Sequence, residues 1–119
     1  MAGFEVKNVN SPDETRPFAG KGEAALVNVG GHLVLSGTFE PGWRWSEHVK
    51  PIAGTDSCQT NHLGYVLSGR MHVVMDDGTE AEAGPGDVFS IAPGHDAWTV
   101  GDEPCVSVDF GQVEHYAKR

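Results

Sequence analysis

His48 and Lys50 stand two residues apart in the segment Glu40-Pro-Gly-Trp-Arg-Trp-Ser-Glu-His-Val-Lys50, and His62 opens the segment His62-Leu-Gly-Tyr-Val-Leu-Ser-Gly69. In extended backbone, residues two apart leave the same face of a strand. A second strand beginning at His62 would bring another imidazole beside them. Two imidazoles suit a divalent transition ion, with Zn, Cu, Fe or Ni favoured over Mg or Ca. A lysine amine coordinates only after losing its proton, so Lys50 is expected to face the pocket charged, holding a substrate carboxylate or pairing with Asp or Glu. His95, in Pro93-Gly94-His95-Asp96, either completes a three-histidine set with open positions for water or substrate or is an exposed turn residue. Cys58, beside Gln59 between the two segments, is either a thiolate donor or a free loop cysteine.

Trp43, Trp45 and Trp98, with Tyr65, supply aromatic surface for a core or for the wall of a small-molecule pocket. The candidate assignments are therefore His48, His62 and His95 for metal, Lys50 and Tyr65 for catalysis, and Trp45, Cys58 and Trp98 for substrate. His32, His72 and His115 have no partner that the sequence names.

With 119 residues the chain suits one domain. Eight Lys plus Arg against 17 Asp plus Glu give a net charge of −9, which repels phosphate backbones and anionic membrane surfaces and excludes nucleic acid as an expected partner. The first residues, Met1-Ala-Gly-Phe-Glu-Val, show neither a basic nor an apolar leader pattern, and no apolar run reaches membrane-helix length. Cytoplasmic residence is the expectation. Two cysteines, Cys58 and Cys105, make no disulfide framework. No phosphate loop, nucleophile elbow or Cys-x-x-Cys pair occurs, which removes nucleotide hydrolysis, serine hydrolysis and zinc-finger roles.

Sixteen Gly and seven Pro divide the chain into short runs rich in Val, Ile, Leu and Phe. Strands are predicted over 24–29, 33–39, 65–67, 71–75, 88–92, 97–100 and 106–110. Gly30-Gly31, Ser68-Gly69 and Asp77-Gly78 are predicted as turns. About eight strands without helical periodicity predict an all-β closed or double-sheet fold. Helix is expected only near 114–118, and residues 7–22 read as an irregular arm.

Gly42, five residues, His48 and the later Gly69 resemble the first motif of the cupin superfamily, the small jelly-roll barrels. That motif runs Gly, five residues, His-x-His, three or four residues, Glu, six residues, Gly. In this alignment Lys50 takes the place of the second His and His62 that of the Glu, with Pro51 to Asn61 as a long spacer. Gly86-Asp-Val-Phe-Ser-Ile-Ala92-Pro93-Gly94-His95-Asp96-Ala97 resembles the second motif, Gly, five residues, Pro-x-Gly, two residues, His, with Ala97 at the final His. The resemblance covers roughly 33–110. It implies a double-stranded β-helix, with an arm over 1–22 packed on the barrel or on a dimer partner, a barrel over 23–112 and a short tail over 113–119. It further implies one divalent transition ion (Zn, Fe, Mn, Ni or Cu) at the barrel mouth and a small carboxylate-bearing or aromatic ligand. Dioxygenase, isomerase and lyase activities all fall within its range. The alternatives are a metal-free binding or sensing barrel and a regulatory partner acting through a homodimer.

Overall fold

The computed structural model describes residues 3–119. The chain runs β1 (Glu14–Pro17), β2 (Gly22–Val29), β3 (His32–Phe39), α1 (Trp45–His48), α2 (Lys50–Ala53), β4 (His62–Ser68), β5 (Arg70–Met75), β6 (Glu80–Ala83), β7 (Val88–Ile91), β8 (His95–Val100) and β9 (Cys105–Asp109). Strands pair in two sheets, ordered β1-β2-β3-β9-β4-β7 and β6-β5-β8. Every pairing is antiparallel. This is the jelly roll that the strand rhythm and the motifs predict.

Alternation along the strands builds the core. Ala24 and Leu26 on β2, Leu35 and Phe39 on β3, Val66 on β4, Val73 on β5, Ala97 on β8 and Cys105 on β9 all turn inward and are buried. One end is filled by aromatic rings. Phe18 stacks on Phe39 at 5.4 Å between centroids, and Phe39 meets Trp43 edge-on at 4.5 Å. Such pairs add about 0.5–1.5 kcal/mol beyond the area they bury. The outward positions of β4, Leu63, Tyr65 and Leu67, remain exposed.

The structure departs from the sequence expectations at both ends and in the middle. The arm is not irregular throughout: Glu14–Pro17 pairs with β2 of the same chain, and Phe18 enters the core. Its first two residues lie outside the described ones. The tail forms turns in place of a helix, with Val113, Tyr116 and Ala117 buried. Glu80–Ala83, unassigned from sequence, is a strand paired with β5. The segment around His48, expected to be extended, is two single turns of helix.

Arg16 explains the tail. Its side chain is 5% exposed, and its Nη1 donates to the carbonyls of Val113 and Tyr116, each at 2.9 Å. The guanidinium thus satisfies carbonyls that a non-helical tail leaves free, while its Nε pairs with Glu14 at 2.9 Å. Removing it strands two carbonyls next to the core. Arg16→Ala is expected to cost about 3 kcal/mol in urea unfolding. Glu14→Ala, which removes only the half-exposed partner, should cost less than about 1 kcal/mol.

Candidate metal centre

His62, Cys58 and His95 come together inside the barrel, with their donor atoms all within 4.8 Å of one another. Backbone pairing accounts for the meeting. Cys58 forms an isolated antiparallel bridge with His95: its N–H donates to the His95 carbonyl, and its carbonyl accepts from Gly94 N–H, both at 2.7 Å. Residues opposed in a bridge put their side chains on one face. His62 arrives as the first residue of β4, on the inward parity shared by Gly64 and Val66. Its Nε2 lies 3.6 Å from Cys58 Sγ.

Asp109 orders the cluster from behind. Its Oδ2 lies 2.5 Å from His62 Nδ1, while its Oδ1 accepts from Gly111 N–H at 2.8 Å and from Leu63 N–H at 3.3 Å. His62 therefore spends Nδ1 on a carboxylate and aims Nε2 at the thiol, the arrangement by which carboxylates fix metal-binding histidines. His95 behaves alike, with Nδ1 2.8 Å from the Ala92 carbonyl and so donating to it. Tyr116 closes over His62 with ring centroids 5.4 Å apart.

The donor set fits a soft or borderline transition ion. One thiolate with two imidazoles is a ligand combination for Zn, Cu or Fe and not for Mg or Ca. Bonds of about 2.3 Å to sulfur and 2.05 Å to nitrogen at a tetrahedral angle put the two donors about 3.6 Å apart, and Cys58 Sγ and His62 Nε2 are 3.6 Å apart. Three protein donors leave one tetrahedral position for water or a ligand.

The cluster opens on a cavity of about 60 Å³ whose lining includes Trp43, Trp45, Met71, Phe89 and Ile91. Trp45 is carried there by α1, whose Ser46 N–H donates to Asp96 on β8 at 3.1 Å. The indole N–H groups of Trp43 and Trp45 are buried without a hydrogen-bond partner among the described residues, a cost of about 1–3 kcal/mol each.

Of the residues singled out in the sequence, His62, His95 and Cys58 converge, and Trp45 walls their cavity. The others stand elsewhere. His48 ends α1, and its Nδ1 lies against the Arg44 main chain, 3.1 Å from N and 3.2 Å from O. Because 45–53 is helical, His48 and Lys50 do not share a strand face, and Lys50 begins α2. Tyr65 has the outward parity of β4 and is 40% exposed. Trp98 faces outward on β8, stacked on His72 at 4.6 Å and covered by Arg44 at 4.3 Å. Neither Lys50, Tyr65 nor Trp98 lines the cavity.

The first motif can also be read in a register that keeps the short gap before His62 and gives up the matches at Gly42 and His48. Cys58 lies four residues before His62, which keeps the family's three-residue gap, so Cys58 takes the place of the second His and exposed Asp56 that of the first. In the second motif, His95 and Ala97 share the inward face of β8, so the imidazole has moved by one inward step, about 6.6 Å along the strand. Asp109 was missed altogether. Its signal is an aspartate on the inward parity of an otherwise uncharged strand, alternating with Cys105 and Ser107, where a carboxylate needs a partner.

Burial works against ionising the Cys58 thiol, but hydrogen bonds and charge from His62 and His95 outweigh it and bring the thiol down from 9.0 to about 6. Burial likewise disfavours a charged His62, yet the bonds to Asp109 and Cys58 raise it from 6.5 to about 9. The metal-free pair at neutral pH is thus thiolate and imidazolium. Stabilisation from Cys58 grows as pH rises from about 6 to 9. That from His62 is complete below 6.5 and is lost as pH rises through about 9. Folding transfers one proton from sulfur to nitrogen, and the two slopes cancel. The metal-free protein is expected to show thiolate ultraviolet absorbance titrating near pH 6 and little change in unfolding free energy between 6.5 and 9. Cys58→Ser should abolish the titration and leave stability falling as pH rises across that window.

Comparison with curated proteins finds no match. Among solved structures the chain is similar to the polyketide cyclase RemF from Streptomyces resistomycificus, at 19% identity over 88% of this chain and 76% of that one, with a TM-score of 0.62. It is similar to an RmlC-like cupin from Shewanella frigidimarina, at 16% identity over 96% of this chain and 95% of that one, with a TM-score of 0.57. A formate complex of the Lactobacillus farciminis oxalate decarboxylase matches at 15% identity over 92% of this chain and 34% of that one, with a TM-score of 0.59. At these identities the likeness is one of fold. The sequence profile of the cupin domain matches residues 48–111, over half of the chain, and the chain belongs to the cupin family.

Proposed function

We propose that this cupin binds one divalent transition ion through Cys58, His62 and His95, and that the ion presents an open position to a small organic molecule. The observation that carries this reading is the 4.8 Å convergence of three donor atoms, two of them on imidazoles whose Nδ1 is already engaged by Asp109 and by the Ala92 carbonyl. When bound, such an ion supplies Lewis-acid polarisation of a ligand oxygen or lowers the pKa of a bound water. Asp109 keeps Nε2 of His62 turned toward the thiolate, Tyr116 covers that ring, and the tryptophan walls keep bulk water out. Relatives of the fold include a polyketide cyclase and an oxalate decarboxylase, which supports a role in small-molecule chemistry without choosing the reaction.

A metal-free binding or sensing barrel is the second reading. It is favoured by the way Asp109, His62 and Cys58 form a hydrogen-bonded ladder that is consistent without an ion. Zinc titration of untagged protein, followed by calorimetry, separates the two. The metal reading expects one equivalent bound, with about one proton released at neutral pH as His62 gives up its Nε2 proton. Cys58→Ser, His62→Ala and His95→Ala should each weaken zinc by at least about tenfold, and Asp109→Asn by about 10–100-fold. His48→Ala should leave it within about twofold, since that ring touches none of the donors. Absence of zinc uptake would leave the sensing reading.

A further inference from the structure

The cavity beside Cys58, His62 and His95 holds about 60 Å³, roughly the liquid volume of two waters. An organic ligand must have its body elsewhere. A second cavity of about 440 Å³, within the range of small-molecule sites, lies at the seam of the jelly roll where edge strands β6 and β7 belong to different sheets. Met71, Val73, Phe89, Ile91 and Ser107 line both cavities, so these residues stand between them. Met71 is unbranched and adaptable. Phe89 lies across Gly64, where an added Cβ would come within 2.5 Å of the ring, so the ring's place in this wall depends on the missing side chain.

The chemistry of the walls limits what fits. The larger chamber is lined by Val66, Met71, Val73, Ala81, Ala83 and Phe89 among others, and no lysine or arginine lines either cavity. Of the charged residues at the chamber, Glu82 is held by Arg70 at 3.0 Å, and Asp87 accepts the Gly84 N–H at 2.7 Å. At the small end, the donor atoms of Cys58, His62 and His95 converge. A ligand that suits this site brings an oxygen to the position that an ion held by those three donors would leave open, carries no negative charge and has an apolar body.

We propose that the two cavities form one binding site for a neutral, oxygen-headed apolar molecule of the ketone or ester class. Its oxygen sits by Cys58, His62 and His95, and its hydrocarbon fills the chamber between β5–β6 and β7–β4. The placement of the oxygen rests on reading the cluster as metal ligands. The expected carboxylate-bearing ligand is thereby replaced by an uncharged one, because Lys50, its intended partner, lies outside both cavities.

Methyl hexyl ketone, octanoate and octylamine are the probes, titrated calorimetrically into zinc-loaded and zinc-free protein, with zinc affinity measured separately without any organic molecule. The ketone is expected to bind at least about tenfold tighter than octanoate or octylamine. Ala83→Leu, whose side chain shares the inward face opposite Met71, should weaken the ketone at least about tenfold by occupying the chamber while leaving zinc affinity unchanged. The more exposed Ala81→Leu provides the same block should the first variant fail to fold. Tighter binding of octanoate, or ketone binding indifferent to both alanine variants, overturns the inference. Normal zinc uptake with no probe bound sinks this proposal and leaves the metal reading standing. Ketone binding with the predicted variant effects but no zinc uptake sinks the metal reading and keeps the ligand class.

Discussion

A carboxylate buried at the end of the last strand cannot stand without donors, and the way Asp109 acquires them organises the functional end of this barrel. One oxygen takes the amides of Leu63 and Gly111, which ties β9 to the start of β4 and turns the chain toward the tail. The other takes the Nδ1 proton of His62. A ring so held has a fixed tautomer and a fixed direction, and what lies in that direction is the Cys58 sulfur. Cys58 is set in turn by its bridge to His95. The convergence of three donors thus follows from one satisfied carboxylate and one short strand pairing, both made by backbone that the jelly roll already supplies.

The same end of the molecule is shut by its termini. Arg16 reaches from β1 to carbonyls of the tail, and the tail places Tyr116 over His62 and against Phe18. A fixed cation thereby closes a lid of apolar surface over polar groups. Excluding water in this way lowers the local dielectric and strengthens every interaction inside, including the pull of Asp109 on the imidazole. It also makes unpaired donors costly, and the N–H groups of Trp43 and Trp45 are buried without a partner among the described residues.

Fold and site were legible to different degrees for physical reasons. Glycine turns such as Gly30-Gly31, with φ of 58° and 80°, mark hairpins because few other residues adopt those angles, and the apolar runs between them became strands. Glu80-Ala-Glu-Ala escaped because an edge strand with one half-exposed face has no apolar signature. Glu14–Pro17 escaped because its only inward residue is a buried arginine. The helices at 45–53 are one turn each, too short to show a period. At the site, His62 and His95 were found as residue types that bind metals. His48 matches the motif by type but stands apart from the cluster, whereas Cys58 lies in it and matches by spacing. Spacing is the stronger guide, since strand geometry fixes which positions face inward and leaves the identity of the donor free.

That freedom has a limit set by charge. The last two donor positions of the family's first motif offer an imidazole followed by a carboxylate, one negative charge over two donors. Here a thiolate occupies the first of those positions and an imidazole the second. The donor count and the net charge of the pair are unchanged although both residues differ. Asp109 adds a further negative charge within hydrogen-bonding distance of His62. Without a metal, an imidazolium at 62 offsets only one of two buried anions, the Cys58 thiolate and the Asp109 carboxylate. A divalent ion with His62 neutral offsets both. Desolvation penalises a net buried charge more than a neutral set, so the electrostatics of the closed barrel favour two positive charges at the point where the three donors meet.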